Sequence, residues 1–151
     1  MTISVRYNLI GKGWSECIIK IGDRQARLTA SYLSDALADL LDAVTLIVKG
    51  TNEATTSFTE ESGEYRWRFK RVTRDRLEVL ILWFNETWSD RPDEEGEVIL
   101  EAECRLKTFA GAVLSASQRV LTINGLDGYK EKWVNYEFPG KLQTKLQKAL
   151  R

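Results

Sequence analysis

The spacing of apolar residues along this chain switches from every second residue to every third or fourth and back. Those switches constrain the fold more than any motif does. Ile3, Val5, Tyr7 and Leu9 alternate with Ser4, Arg6 and Asn8, the pattern of a half-buried strand. Gly11-Lys12-Gly13 turns the chain. Cys17, Ile19 and Ile21 resume the alternation, and Gly22-Asp23 predicts a hairpin turn into a third strand, Arg24 to Ala30. The period then lengthens. Leu33, Ala36, Leu37, Leu40, Leu41, Val44 and Ile47 or Val48 follow helical spacing, with Asp35, Asp39 and Asp42 on the wet side. Ser31 or Ser34 is the expected cap, and Gly50 sits where a C′ glycine belongs.

Four strands follow. Ala54 to Glu61 is rich in threonine. Tyr65, Trp67 and Phe69 alternate with Glu64, Arg66, Arg68 and Lys70. Leu77, Val79, Ile81 and Trp83 form one face of the next strand, whose other face, Leu80, Leu82 and Phe84, is also apolar. Such a strand is central and covered on both sides, or it faces another subunit. Val98, Leu100, Ala102, Cys104 and Leu106 alternate with Glu97, Glu101, Glu103 and Arg105. Thr108 is the expected cap of a second helix, with Phe109, Ala112, Val113, Ala116 and Val120 along one stripe. Gly125 to Tyr136 reads as an irregular aromatic connection; over Tyr129 to Pro139, Trp133 and Phe138 anchor the chain to the sheet edge, or the aromatics line a groove or interface. Pro139 opens a last helix with Leu142 and Leu146 inward.

The order βββ-α-ββββ-αα, with hairpin-length links between strands, predicts antiparallel pairing. The expected fold is α+β: a bent antiparallel sheet of about seven strands packed against helices. At 151 residues and 43% hydrophobic content, residues 1–151 form one domain able to bury a core.

There is no histidine in the chain. Its absence removes Ser-His-Asp and Cys-His catalysis and the usual zinc, copper and non-haem iron sites. The expectation is therefore a non-enzymatic protein without a cofactor or metal. Asp90, Asp93, Glu94, Glu95 and Glu97 offer oxygens but lack the spacing and mid-loop glycine of an EF-hand. Gly11-Lys12-Gly13 lacks the pattern of a P-loop. Cys17 and Cys104 read as buried thiols, which points to a reducing compartment. Met1 to Arg6 has no signal-peptide character, and no apolar run is long enough to span a membrane. A cytoplasmic protein that does not engage membranes is expected.

Net charge is zero, but the charges are segregated. Glu86, Asp90, Asp93, Glu94, Glu95, Glu97, Glu101 and Glu103 stand against a single basic residue, Arg91. Arg66, Arg68, Lys70, Arg71, Arg74 and Arg76 stand against Asp75 alone. The simplest outcome pairs Glu97, Glu101 and Glu103 with Arg66, Arg68 and Lys70 across one sheet face. Nucleic-acid binding is not expected, because these cations lie opposite Tyr65, Trp67 and Phe69 rather than among them. Cross-strand pairing leaves the segment Trp88 to Gly96 unexplained, since it is longer than a hairpin needs. It sets Trp88 beside Asp90, Asp93, Glu94, Glu95 and Glu97, a composition suited to steering toward a basic protein. The leading expectation is a protein-binding module. Its sharpest form is a bacterial immunity or inhibitor protein that neutralises a basic partner such as a nuclease toxin. A second reading is a small-molecule carrier or divergent enzyme, with a pocket between sheet and first helix lined by Tyr65, Trp67, Phe69 and Trp83. A third is a homodimer that self-associates through Leu80, Leu82 and Phe84.

Overall fold

The computed structural model describes residues 2–134 and 136–151, so Met1 and Asn135 of the segments read above lie outside the described residues. Among the described residues, seven antiparallel strands and three α-helices follow in the expected order, and the fold is α+β. The strands are β1 (Ile3–Gly11), β2 (Trp14–Ile21), β3 (Arg24–Ser31), β4 (Glu53–Glu60), β5 (Gly63–Arg71), β6 (Arg76–Phe84) and β7 (Glu97–Arg105). The helices are α1 (Ala36–Val48), α2 (Leu106–Trp133) and α3 (Gly140–Ala149).

The strands divide into two sheets, ordered β1-β2-β3 and β4-β5-β6-β7. The division falls where α1 interrupts the run of hairpins. The edge strand β3 lies against both β4 and β7 of the second sheet. The Ser31 hydroxyl donates to the Thr59 carbonyl at 3.2 Å, and the Thr29 hydroxyl donates to the Glu60 carboxylate. Both sheets turn their apolar faces to the helices, and one continuous core results. Tyr7 of the first sheet meets Phe58 edge-on at 6.3 Å between ring centroids. Phe58 meets Trp67 at 5.2 Å, Trp67 meets Phe69 at 5.8 Å, and Phe69 meets Phe109 of α2 at 5.7 Å. One aromatic row thus ties the two sheets to a helix, with contacts worth about 0.5–1.5 kcal/mol each beyond burial.

The apolar stripe of α1 is buried from Ala36 to Ile47. Its end is a Schellman motif: the Gly50 N–H reaches the Ile47 carbonyl at 3.1 Å and the Thr51 N–H reaches the Leu46 carbonyl at 3.0 Å. Gly50 has φ 121°, which explains the glycine there. At its start, Asp35 takes the N-cap position instead of Ser31 or Ser34, with no side-chain cap hydrogen bond among the described residues.

Two expectations about α2 are corrected. It begins at Leu106, ahead of Thr108, because β7 runs straight into it: extended Arg105 precedes a Leu106 whose N–H bonds the Asp75 carbonyl at 2.9 Å. It also continues past Gly125, which breaks the helical path with φ 70°, as far as Trp133. The residues read as an irregular connection are therefore helical up to Trp133. Tyr129, Trp133 and Phe138 are buried, which supplies the reason the helix resumes. Among the described residues, no helix is long and apolar enough to cross a membrane.

Candidate protein interface

Period two sends Trp67 and Phe69 of β5 to the core and Arg66, Arg68 and Lys70 to the outer face of the second sheet. Beside Arg66 in register stand Ser57 on β4 and Leu82 on β6. Beside Arg68 stand Thr55 and Leu80. The strand β6 is interior to the sheet, and its outer apolar residues need a cover. Residues 85–96, between β6 and β7, supply it by folding back over the face. Leu82 and Phe84 are only 2% exposed, and a Cβ added to Gly96 would stand 2.7 Å from the Phe84 ring. Of the residues expected at a self-association surface, Leu82 and Phe84 are buried beneath this chain's own loop, and Leu80 is half-buried.

Charged groups fasten the loop. Glu64 is buried, 5% exposed. Its Oε1 accepts the Ser89 N–H at 2.9 Å, and its Oε2 accepts from the Ser57 hydroxyl at 3.2 Å and Arg66 Nε at 3.1 Å. Arg66 donates through Nη1 to the Arg91 carbonyl and to Asp93 Oδ1, both at 2.8 Å, and through Nη2 to the Ser89 carbonyl at 3.0 Å. Its guanidinium lies 4.2 Å from the Phe84 ring centroid, a cation–π contact. Arg68 Nε donates to Asp93 Oδ2 at 2.5 Å. The Thr87 hydroxyl donates to the Glu60 carbonyl at 2.8 Å and accepts the Gly63 N–H at 3.0 Å.

Burial alone would raise the Asp93 carboxyl, but its bonds to Arg68 and Arg66 prevail and hold it below the usual carboxylate range. Burial disfavours the charged Arg66 guanidinium. Asp93 and Glu64 reverse that and push its titration above the ordinary value. Arg91 pairs at the surface with Glu86 and Glu95, each at 3.2 Å. Such exposed pairs contribute about 0–1 kcal/mol.

The expected pairing of Glu97, Glu101 and Glu103 with Arg66, Arg68 and Lys70 is therefore replaced. Leu80 of β6 separates Arg68 from Glu101, so the two are two strands apart. Asp93 takes the arginines from above instead, and Glu103 pairs with Arg76 at 3.0 Å. One-residue irregularity between Ile81 and Leu82 sets Val98 opposite outward-facing Leu82, and Val98 is exposed.

Of the residues read as partner-binding, the structure gathers some and separates others. Trp88 is 67% exposed and has φ 52°, a left-handed conformation that costs a non-glycine residue about 1–3 kcal/mol. Asp90 and Glu94 are exposed with no ion pair among the described residues. Asp93 faces inward, and Glu95 is engaged by Arg91. Glu97 stands opposite Trp83 and acts electrostatically on Tyr65, away from the Arg66 face. Glu64, Arg66 and Arg68 form the anchor that sequence reasoning missed. The signal for them was the doubly apolar β6, which demanded a cover, next to a long acidic loop and a basic strand. The proposed ligand pocket is not formed by its four residues: Trp67 and Phe69 are fully buried in the aromatic row, and Tyr65 packs on Trp83 at 4.7 Å.

No protein-family model and no curated protein matches this chain. A solved structure does: a chain of the CdiA-CT/CdiI toxin and immunity complex from Enterobacter cloacae. It is 12% identical with a TM-score of 0.51, and the match covers 78% of this chain and 99% of that chain. At that identity the likeness establishes the fold.

Proposed function

We propose that this domain is a protein-binding module of bacterial immunity type, acting in the cytoplasm to neutralise a basic partner such as a nuclease toxin. The observation that carries the reading is Trp88: a large apolar side chain, mostly in solvent, held in a strained backbone conformation by a loop anchored through Glu64, Arg66 and Arg68. An exposed tryptophan on a fixed loop loses little conformational entropy on binding, which favours its use as an anchor. Trp88 with Asp90 and Glu94 forms the centre of the proposed contact. Glu97 adds negative charge at the rim, Glu95 lies at the surface paired with Arg91, and Asp93 holds the loop from within. A chain of similar fold occurring in a toxin and immunity complex supports the choice of partner class.

Capture from a lysate of the source organism tests this, with the parent protein beside a variant carrying Asp90→Lys and Glu94→Lys. The proposal predicts one basic protein retained stoichiometrically at low salt by the parent and lost by the variant. Retention that ignores both salt and charge reversal would contradict it. Asp93 is unsuitable for this test, because its reversal would break the anchor itself.

A further inference from the structure

At the other end of β6, away from the Trp88 loop, a cleft of about 770 Å³ opens between the β5–β6 turn, the first turn of α2 and the ends of α1 and α3. Five of its lining residues are cations: Arg71, Arg74, Arg76, Arg105 and Lys107. Asp75 is the one carboxylate among them. Arg76 pairs with Glu103, and Arg71 donates to the Ile47 and Arg74 carbonyls. Arg74, Arg105 and Lys107 are exposed and carry no ion pair among the described residues.

Three features of this cleft are electrostatically unfavourable as they stand. Arg76 and Arg105 occupy directly opposed positions on β6 and β7, where like charges repel. The first turn of α2 contains no acidic residue, yet cationic Arg105 and Lys107 sit at this positive end of the helix dipole. No side chain caps that helix. The Leu106 N–H is taken by the Asp75 carbonyl, while those of Lys107 and Thr108 have no such partner among the described residues. A single anion in the cleft relieves all three, because it neutralises the opposed cations and accepts from the helix donors.

From this convergence we infer that the cleft is a binding site for a phosphorylated small molecule. The phosphate is held by Arg74, Arg105 and Lys107 over the start of α2, and Thr108 lines the same cleft. The volume suits a ligand larger than a bare oxyanion. The largely polar lining suits one whose recognition is ionic. The site is separate from the proposed partner face, and neither depends on the other.

Calorimetric titration of the full chain with pyrophosphate, and in parallel with a nucleoside diphosphate, tests the inference at fixed ionic strength. Saturable binding that weakens with added salt is expected. The variant Arg74→Glu/Lys107→Glu should lose at least about tenfold in affinity. The same variant, free of ligand, should melt no lower than the parent, since it places a carboxylate at the helix N-terminus. Equal binding of both probes identifies the phosphates as the recognised group. Binding of the nucleotide alone adds contacts from the rest of the cleft. Absence of saturable binding to either probe, or equal affinity in the variant, would overturn the inference.

Discussion

Arg66 Nη1 stands 2.8 Å from Asp93 Oδ1, across 27 residues of sequence, and this bond joins the middle of β5 to the far end of the loop that covers it. The arginine lies on Phe84 and bonds two loop carbonyls as well, so it serves as both cover and clamp. Replacing it with methionine keeps the apolar contact but leaves Glu64 buried without its cation. An uncompensated buried charge costs about 3 kcal/mol. Urea unfolding of Arg66→Met should show a loss of that size. A second change, Glu64→Leu, should restore part of it, because it removes the orphaned carboxylate.

The Asp93 carboxyl, lowered in the folded state, contributes stability that is present above the ordinary carboxyl range and lost as pH falls through its folded value. Asp93→Asn should therefore be less stable than the parent at neutral pH, and the gap should close in acid. Thermal melts from pH 7 down to pH 2 check this. A gap that stays constant would show that charge is not what Asp93 contributes.

Asp35 behaves in the opposite sense. Burial and its neighbour Asp39 raise its carboxyl from 3.8 to about 6, and its Oδ1 is buried with no hydrogen-bond partner among the described residues. Its contribution is complete below the ordinary carboxyl value and lost as pH rises through about 6. Asp35→Asn should be more stable than the parent at pH 7, with the advantage disappearing toward pH 4. Melting temperatures at the two pH values provide the test.

Strand alternation and the α1 stripe were legible because they depend on neighbours in sequence: Tyr65-Trp67-Phe69, or Leu37-Leu40-Leu41-Val44, carry their own period. Gly50 announced the end of α1 for the same reason, since a Schellman turn needs its glycine within the motif. The loop anchor was not legible, because whether Asp93 or Glu101 meets Arg68 depends on which strand lies between them and on how the chain folds back. The irregularity that turns Val98 outward is equally non-local. Gly125 misled in a third way: it breaks the local helical path, but burial of Tyr129 and Trp133 favours resuming the helix beyond it.

Cys17 and Cys104 lie in different sheets, free and fully buried. Burial pushes the Cys17 thiol up to about 12 and the Cys104 thiol up to about 11. Neither should react with a thiol reagent in the native protein at neutral pH. Labelling should follow unfolding, and both sites should modify together as denaturant is raised. Rapid native labelling of either would contradict the packing around it.

The most direct test of the central claim is the affinity of the captured partner for Trp88→Ala, measured by calorimetry beside the parent. The side chain is mostly exposed, so the variant should unfold within about 0.5 kcal/mol of the parent. If Trp88 is the anchor of the interface, affinity should fall by about 2 kcal/mol or more, roughly 30-fold. An affinity unchanged by the substitution would mean that the partner binds elsewhere and that the anchored loop is not the contact.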